Sequence, residues 1–155
     1  MKKLKPTPLL DKLEVASLEQ LLALDSESVK EASVAHKLEF IPGPDRIRFM
    51  EELWRVLVVG GKVTVIVCYW TSPRAIQDPM LAWPPLCDHS FLYFNKGWRA
   101  AQGLSEIKCD FDFTMGYTMS DPEIMTKNTE TQQFWIKHYV NTAADMQATL
   151  TKRGS

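Results

Sequence analysis

The sequence predicts a layered α/β domain built on a parallel sheet, and three observations predict it. Residues 44–57 repeat apolar side chains at helical spacing, and a Gly60-Gly61 pair follows. Residues 63–69 are a short, valine-rich apolar run of the kind that forms a strand. Residues 110–119 and 146–151 alternate apolar and polar side chains, as half-exposed strands do.

At 155 residues the chain is long enough for one ordinary core. Its 18 basic and 19 acidic side chains nearly cancel, so no nucleic-acid or anionic-membrane surface is expected. Lys2, Lys3 and Lys5 make a small basic start, but no apolar signal core follows and no run reaches membrane-spanning length. Cys68, Cys87 and Cys109 are odd in number and lack a C-x-x-C spacing, which suits free thiols in a reducing cytoplasmic setting. Gly154-Ser155 has the look of a cloning scar and is given no structural meaning.

In chain order, residues 1–8 read as an N-terminal arm. Ser17 is placed to cap a short helix, with Gln20 as its capping-box partner and Leu18, Leu21 and Leu22 on the inner side. Residues 25–28 form a polar turn. Residues 29–40 suit either an alternating strand (Val34, His36, Leu38, Phe40) or a helix continuing from Glu27; a strand near 32–38 is the expectation. Pro42 and Pro44 close the segment either way, since a residue before proline is pushed out of the α region.

The next helix starts with Pro44 in a tolerated first-turn position. Ile47, Met50, Leu53, Trp54 and Leu57 fall on one face, with Arg46, Arg48, Glu51, Glu52 and Arg55 mostly on the other. Gly60-Gly61 is read as the helix stop, through left-handed backbone. Residues 63–69 then suit a strand covered on both faces.

Residues 71–89 form a long irregular stretch containing Pro73, Pro79, Pro84 and Pro85. Trp70, Trp83 and Leu86 argue that it is ordered, since aromatic surface of that size is usually buried or used. Residues 91–101 suit a helix capped by Asp88, with Leu92 and Tyr93 or Phe94 inward and Trp98 close behind. In residues 110–119, Phe111, Phe113 and Met115 oppose Asp110, Asp112 and Thr114. Asp121-Pro122 opens a helical region over about 128–141, carrying Phe134, Trp135, Ile136, Tyr139 and Val140. Met146, Ala148 and Leu150 alternate with Gln147, Thr149 and Thr151, a terminal strand expected to pair antiparallel with 110–119. There is no internal repeat.

The run from Phe40 to Trp70, with its Glu51-Glu52-Leu53-Trp54-Arg55-Val56-Leu57 and Gly60-Gly61, resembles the second half of class I S-adenosylmethionine-dependent methyltransferases of the type 11 kind. Residues 76–83, 91–99, 110–117 and 148–153 also resemble one lineage of them, known mostly from phage and environmental sequences. The likeness covers roughly three quarters of the chain, from about Ser26. It implies a truncated Rossmann-like sheet, parallel strands plus a C-terminal antiparallel pair, with residues 1–24 an arm and short helix and 25–155 the partial domain. The family's glycine-rich loop and the acidic residue that holds the ribose should precede Asp25, yet only 24 residues do and none is glycine. Leu38-Glu39-Phe40-Ile41 stands where the pattern has Leu-Glu-His-Ile, and Asp78-Pro79-Met80-Leu81 where it has Asp-Pro-Thr-His. Val58-Val59 replaces Lys-Pro, and Cys68 replaces a proline. The expectation is a relic or repurposed domain whose cofactor, S-adenosylmethionine, this chain cannot cradle alone.

By the same resemblance, Ala35, His36, Leu38 and Glu39 are the candidate cofactor-side residues. Tyr69, Trp70, Asp78, Trp83 and His89 are the candidates for a small-molecule substrate pocket; no catalytic residue is assigned. Each has a structural alternative: His36 a semi-buried histidine satisfied by backbone, Glu39 an ion-pair partner, Asp78 the start of a turn, His89 a solvated first-turn residue. Trp70, Trp83, Tyr93 and Trp98 could form an aromatic pocket for a cationic or planar substrate, or be core residues. Asp110 and Asp112 could share a proton or form a wet strand face. Histidines at 36, 89 and 138 have no ligand pair at helical spacing, so no metal is expected. Two functions stand beside each other: a methyltransferase-like enzyme that completes its sheet by oligomerisation, or a non-catalytic interaction module. In both, the strand edge near 32–38 is exposed for a second copy or partner protein, unless residues 9–24 cover it.

Overall fold

The computed structural model describes residues 8–104 and 106–154. Lys2, Lys3, Lys5 and Ser155 lie outside them. Five strands, β1 (Leu10–Glu14), β2 (Val29–Ala35), β3 (Leu57–Cys68), β4 (Phe111–Met119) and β5 (Ala143–Lys152), form one mixed sheet in the order β1-β2-β3-β5-β4. The first three run parallel, and β5 is antiparallel to both β3 and β4, as expected for the terminal pair. The helices are α1 (Leu18–Leu22), α2 (Gly43–Val56), α3 (Lys96–Ala101), α4 (Pro122–Met125) and α5 (Thr129–His138).

The sheet is covered on one face only, which corrects the expectation for β3. Val34, Val65 and Ala148 lie in register across β2, β3 and β5, and all three are buried beneath the helical layer. The 3-10 segment Asp88–Phe94 closes the far end of that layer, its Phe91 ring 6.4 Å from that of Phe113. The opposite row, Ser33, Thr64, Thr149 and Thr114, is exposed or half-buried, and so are Ile66 and Gln147 beside it. A threonine-rich face tolerates water while keeping β propensity, so an apolar-looking run can be half-wetted.

The N-terminal segment answers the edge question. Leu10–Glu14 adds to β2 as a parallel strand, Leu10 opposite Val29 and Glu14 opposite Ser33, so the edge near 32–38 is not exposed. The free edge moves to β1, where Asp11 pairs with Lys30 at 2.8 Å. Ser17 caps α1 as expected, accepting from Gln20 N–H, and the Gln20 side chain accepts from Ala16 N–H at 2.8 Å. Leu21 is fully buried, but Leu22 is exposed.

Further expectations change. Helix α2 ends at Val56 and β3 starts at once, so Gly60-Gly61 lies inside the strand at a register shift rather than at a helix stop. The buried face of α2 is Arg46, Phe49, Met50, Leu53 and Val56; Ile47 is exposed, and Arg46 points inward. Residues 91–101 divide into the 3-10 segment Asp88–Phe94 and α3, with Cys87 rather than Asp88 in the cap position and Phe91 and Phe94 facing inward. In α5, Ile136 is buried, while Phe134, and beyond the helix Tyr139 and Val140, stay exposed.

Candidate functional site

Strands β2 and β3 end together, and the carboxyl ends of parallel strands are where α/β sheets bind ligands. Here two groups of side chains gather. The first is held by β2's exit. His36 follows the last strand residue with φ +52 and donates its N–H to Ile66 O at 2.9 Å. The 3-10 turn Leu38–Phe40 then brings Glu39 back beneath it. His36 Nδ1 lies 3.0 Å from Glu39 Oε1, which also accepts from Cys68 N–H at 2.8 Å. Cys68 Sγ is 3.8 Å from the same imidazole nitrogen. Glu39 is 5% exposed, and its Oε2 is buried with no hydrogen-bond partner among the described residues.

The second group is a cleft of about 500 Å³ lined by Tyr69, Trp70, Cys87, Asp88, His89, Tyr117, Gln133, Ile136 and Lys137. Tyr117 donates to Asp88 Oδ2 at 3.0 Å, and its ring meets Tyr69 edge-on at 5.6 Å. Cys68 continues the open-face row of β3, whereas Tyr117 belongs to the covered-face row of β4. The two groups therefore flank the strand ends from opposite sides of the sheet.

Of the cofactor-side candidates, His36 and Glu39 come together, Ala35 sits exposed on the open face, and Leu38 is buried in the core. Leu38 is thus a packing residue. Of the substrate-side candidates, Tyr69, Trp70 and His89 line the cleft. Asp78 and Trp83 do not: Asp78 is an exposed turn residue accepting from Met80 N–H, and Trp83 is 81% exposed. The four-aromatic pocket does not form, since Tyr93 and Trp98 meet edge-on, ring centroids 4.9 Å apart, away from the cleft. Asp110 and Asp112 both face Arg153, at 3.5 and 3.0 Å, instead of sharing a proton. Sequence reading missed Cys68 as a neighbour of His36, and Tyr117 and Lys137 in the cleft. They arrive from strands and helices far along the chain, with no local spacing to announce them.

Two buried arginines hold the irregular segments around the site. Arg46 donates to the carbonyls of Leu38, Ala82 and Pro84, and Arg99 to those of Tyr93, Ile107 and Cys109. Arg46 reads in sequence as part of the polar face of its helix.

Burial raises several acids. The Cys68 thiol is pushed up to about 11, by desolvation and then by the Glu39 carboxylate, and the Cys109 thiol to about 12, chiefly by desolvation. Tyr69 and Tyr117 are also raised, by desolvation first and in Tyr117 then by the bond to Asp88. Each group keeps its proton longer folded than unfolded. Their contribution is intact below the ordinary thiol value of 9.0 and is lost as pH climbs through the folded values. Lys152, lowered by burial, opposes this just below 10.5 but is one group against four. The thermal midpoint is therefore expected to fall between about pH 9 and about pH 12, with a shallower fall in Cys109→Ala. A flat midpoint across that range would refute the assignment.

No protein-family model matches the sequence, and no curated protein matches it. Solved structures do share its fold. An S-adenosylmethionine-dependent methyltransferase from Archaeoglobus fulgidus superposes with TM-score 0.62 over 89% of this chain at 13% identity. Another from Thermotoga maritima, described as a possible histamine N-methyltransferase, gives 0.52 over 84% at 14% identity. The chain spans 66% of the first protein's length and 59% of the second's. It has the class I S-adenosylmethionine-dependent methyltransferase fold. Among the described residues no helix is long and apolar enough to cross a membrane.

Proposed function

We propose that this protein is a methyltransferase-related ligand-binding module. Its cleft at Tyr69, Trp70 and Tyr117 takes a small planar or cationic molecule, and residues 8–154 do not by themselves cradle S-adenosylmethionine. The observation that carries this reading is the turn after β1, the strand lying beside β2. That turn is Val15-Ala16-Ser17, with Val15 buried, its N–H donated to Ser33 O, and Ala16 N–H donated to Gln20. A glycine turn leaves backbone donors free for ligand atoms; here the N–H groups of Val15 and Ala16 are already spent on Ser33 and Gln20. The described residues do not fit the cofactor in the family's manner, so no transfer step is derived through it.

In the cleft, Trp70 and the two tyrosines supply aromatic faces, and Asp88, fixed by Tyr117, supplies negative charge. Lys137 at the rim selects against strongly cationic neighbours of the ring-bound group. If methyl transfer occurs, the glycine turn comes from another chain. The free edge of β1 is the place where such a chain would add. Calorimetric titration of the isolated chain with S-adenosylmethionine and S-adenosylhomocysteine tests this. Binding weaker than about 1 mM is expected, with phenyltrimethylammonium perturbing Trp70 and losing its effect in Trp70→Ala. Saturable cofactor binding at micromolar affinity, roughly −8 kcal/mol, by a monomer would overturn the reading.

A further inference from the structure

We propose that His36, Glu39 and Cys68 form a metal site for Zn²⁺ or a cation of similar softness, built at the joined exits of β2 and β3. One imidazole nitrogen, one carboxylate oxygen and one thiol sulfur lie within 4.8 Å of one another. In tetrahedral zinc sites the ligand bonds are about 2.0–2.3 Å, which sets ligand atoms roughly 3.3–3.7 Å apart. Two of the separations, 3.0 Å for nitrogen to oxygen and 3.8 Å for sulfur to nitrogen, lie close to that range, and the third is within 4.8 Å, so the side chains must shift modestly to seat the ion.

Nitrogen, oxygen and sulfur in one set favour a borderline-soft ion over Mg²⁺ or Ca²⁺, which take oxygen. Three protein ligands would leave the fourth position to water or to an incoming molecule.

A second observation points the same way. Glu39 is buried, yet its Oε2 has no hydrogen-bond partner among the described residues. An unpaired buried carboxylate oxygen is costly, and a cation held by the same carboxylate through Oε1 offsets the charge that Oε2 shares. The backbone also holds the ligands in place. His36 keeps a left-handed φ of +52, a conformation disfavoured in a residue other than glycine. Its N–H is tied to β3, and Cys68 N–H is tied to Glu39. The imidazole is 37% exposed, which leaves a path in from solvent.

Binding converts the Cys68 thiol to thiolate and forms the metal–sulfur bond, and the thiol proton leaves to solvent. Glutamate and thiolate then carry two negative charges, which the divalent ion balances. This site does not depend on the ligand reading of the aromatic cleft.

Titration of the full chain with Co²⁺ and with Zn²⁺ tests the proposal. Co²⁺ is expected to give a near-ultraviolet thiolate charge-transfer band that Zn²⁺ abolishes. Zn²⁺ should bind at micromolar affinity or tighter with release of about one proton, seen by calorimetry in buffers of different ionisation enthalpy. Cys68→Ser and Glu39→Gln should weaken Zn²⁺ by roughly two orders of magnitude, and Cys87→Ser should leave it unchanged. Should either variant fail to fold, the rise of the wild-type thermal midpoint with Zn²⁺ carries the test. No band and no midpoint shift, or a band that survives in Cys68→Ser, would overturn the site.

Discussion

Arg46→Ala is expected to destabilise the protein by about 3 kcal/mol and to release the loop around residues 81–86 first. Arg46 is 5% exposed and faces carbonyls on two segments. Its Nε donates to Leu38 O at 3.0 Å, and its two terminal nitrogens donate to Pro84 O at 2.6 Å and Ala82 O at 3.2 Å. Desolvation lowers the guanidinium from its ordinary value, partly offset by Glu39, so the carbonyl dipoles stabilise a charge held out of water. Truncation leaves Pro84 O and Ala82 O without the donors seen here, while Leu38 O keeps only Ile41 N–H, at about 1–3 kcal/mol for each group that water cannot reach.

The first half of the loop between β3 and the segment Asp88–Phe94 is held separately, by Arg74 paired with Asp145 and by Thr71 O accepting from Asn141 N–H. Around residues 81–86 the other ties are Ala82 N–H donating to Glu39 O and the buried Leu86. Arg46→Lys should recover less than half of the loss, because one ammonium cannot present a planar fork to three carbonyls. Denaturant unfolding measures the stability, and amide exchange at Ala82 measures the loop. An Arg46→Ala variant within about 0.5 kcal/mol of wild type would refute the anchoring role.

Gly61→Ala is expected to cost about 2–3 kcal/mol, more than the same change one residue earlier. A methyl group at Gly61 would lie 2.8 Å from Val58 O and 2.9 Å from Lys30 O. Both are backbone atoms, which cannot swing aside as a flexible side chain can. The register between β2 and β3 jumps here, from Val29 opposite Leu57 to Glu31 opposite Lys62, and only a residue without Cβ lets the two chains close over the jump.

Gly60 differs in kind. Its φ is +79 but nothing crowds its Cβ position, so Gly60→Ala meets only the left-handed penalty of roughly 1 kcal/mol. Chemical unfolding of both variants tests the ordering. If Gly60→Ala proves the more damaging, close backbone approach is not what Gly61 provides.

The elements that could be read from sequence are those governed by local periodicity or capping chemistry. The Ser17–Gln20 cap, helix α2, the alternation in β4 and β5 and their antiparallel pairing all lie in short stretches whose own side chains show the pattern. Reading failed where an ambiguous residue was settled by a distant neighbour. Thr64 and Ile66 look compatible with a doubly buried strand, yet their partners on β5 are Thr149 and Gln147 and the face stays open. Leu10–Glu14 carries three charges in five residues and does not read as a strand, although residues 9–24 are a possible cover of the β2 edge; parallel backbone pairing to β2 makes it one. Arg46 and Arg99 have no partner in sequence, because their acceptors are carbonyls of irregular loops.

The candidate site divides in the same way. Sequence by itself determined the α/β class, the likeness of residues 40–70 to the methyltransferase pattern, and the nomination of His36, Glu39, Tyr69, Trp70 and His89. Tertiary structure alone decided that Cys68 meets His36 and Glu39, that Asp88 and Tyr117 build the cleft wall, and that Leu38, Asp78 and Trp83 belong elsewhere. The reason is physical: periodicity records which face of an element avoids water. The convergence of side chains from separate strands depends instead on register and on where each backbone turns, and neither is encoded within any one window of the chain.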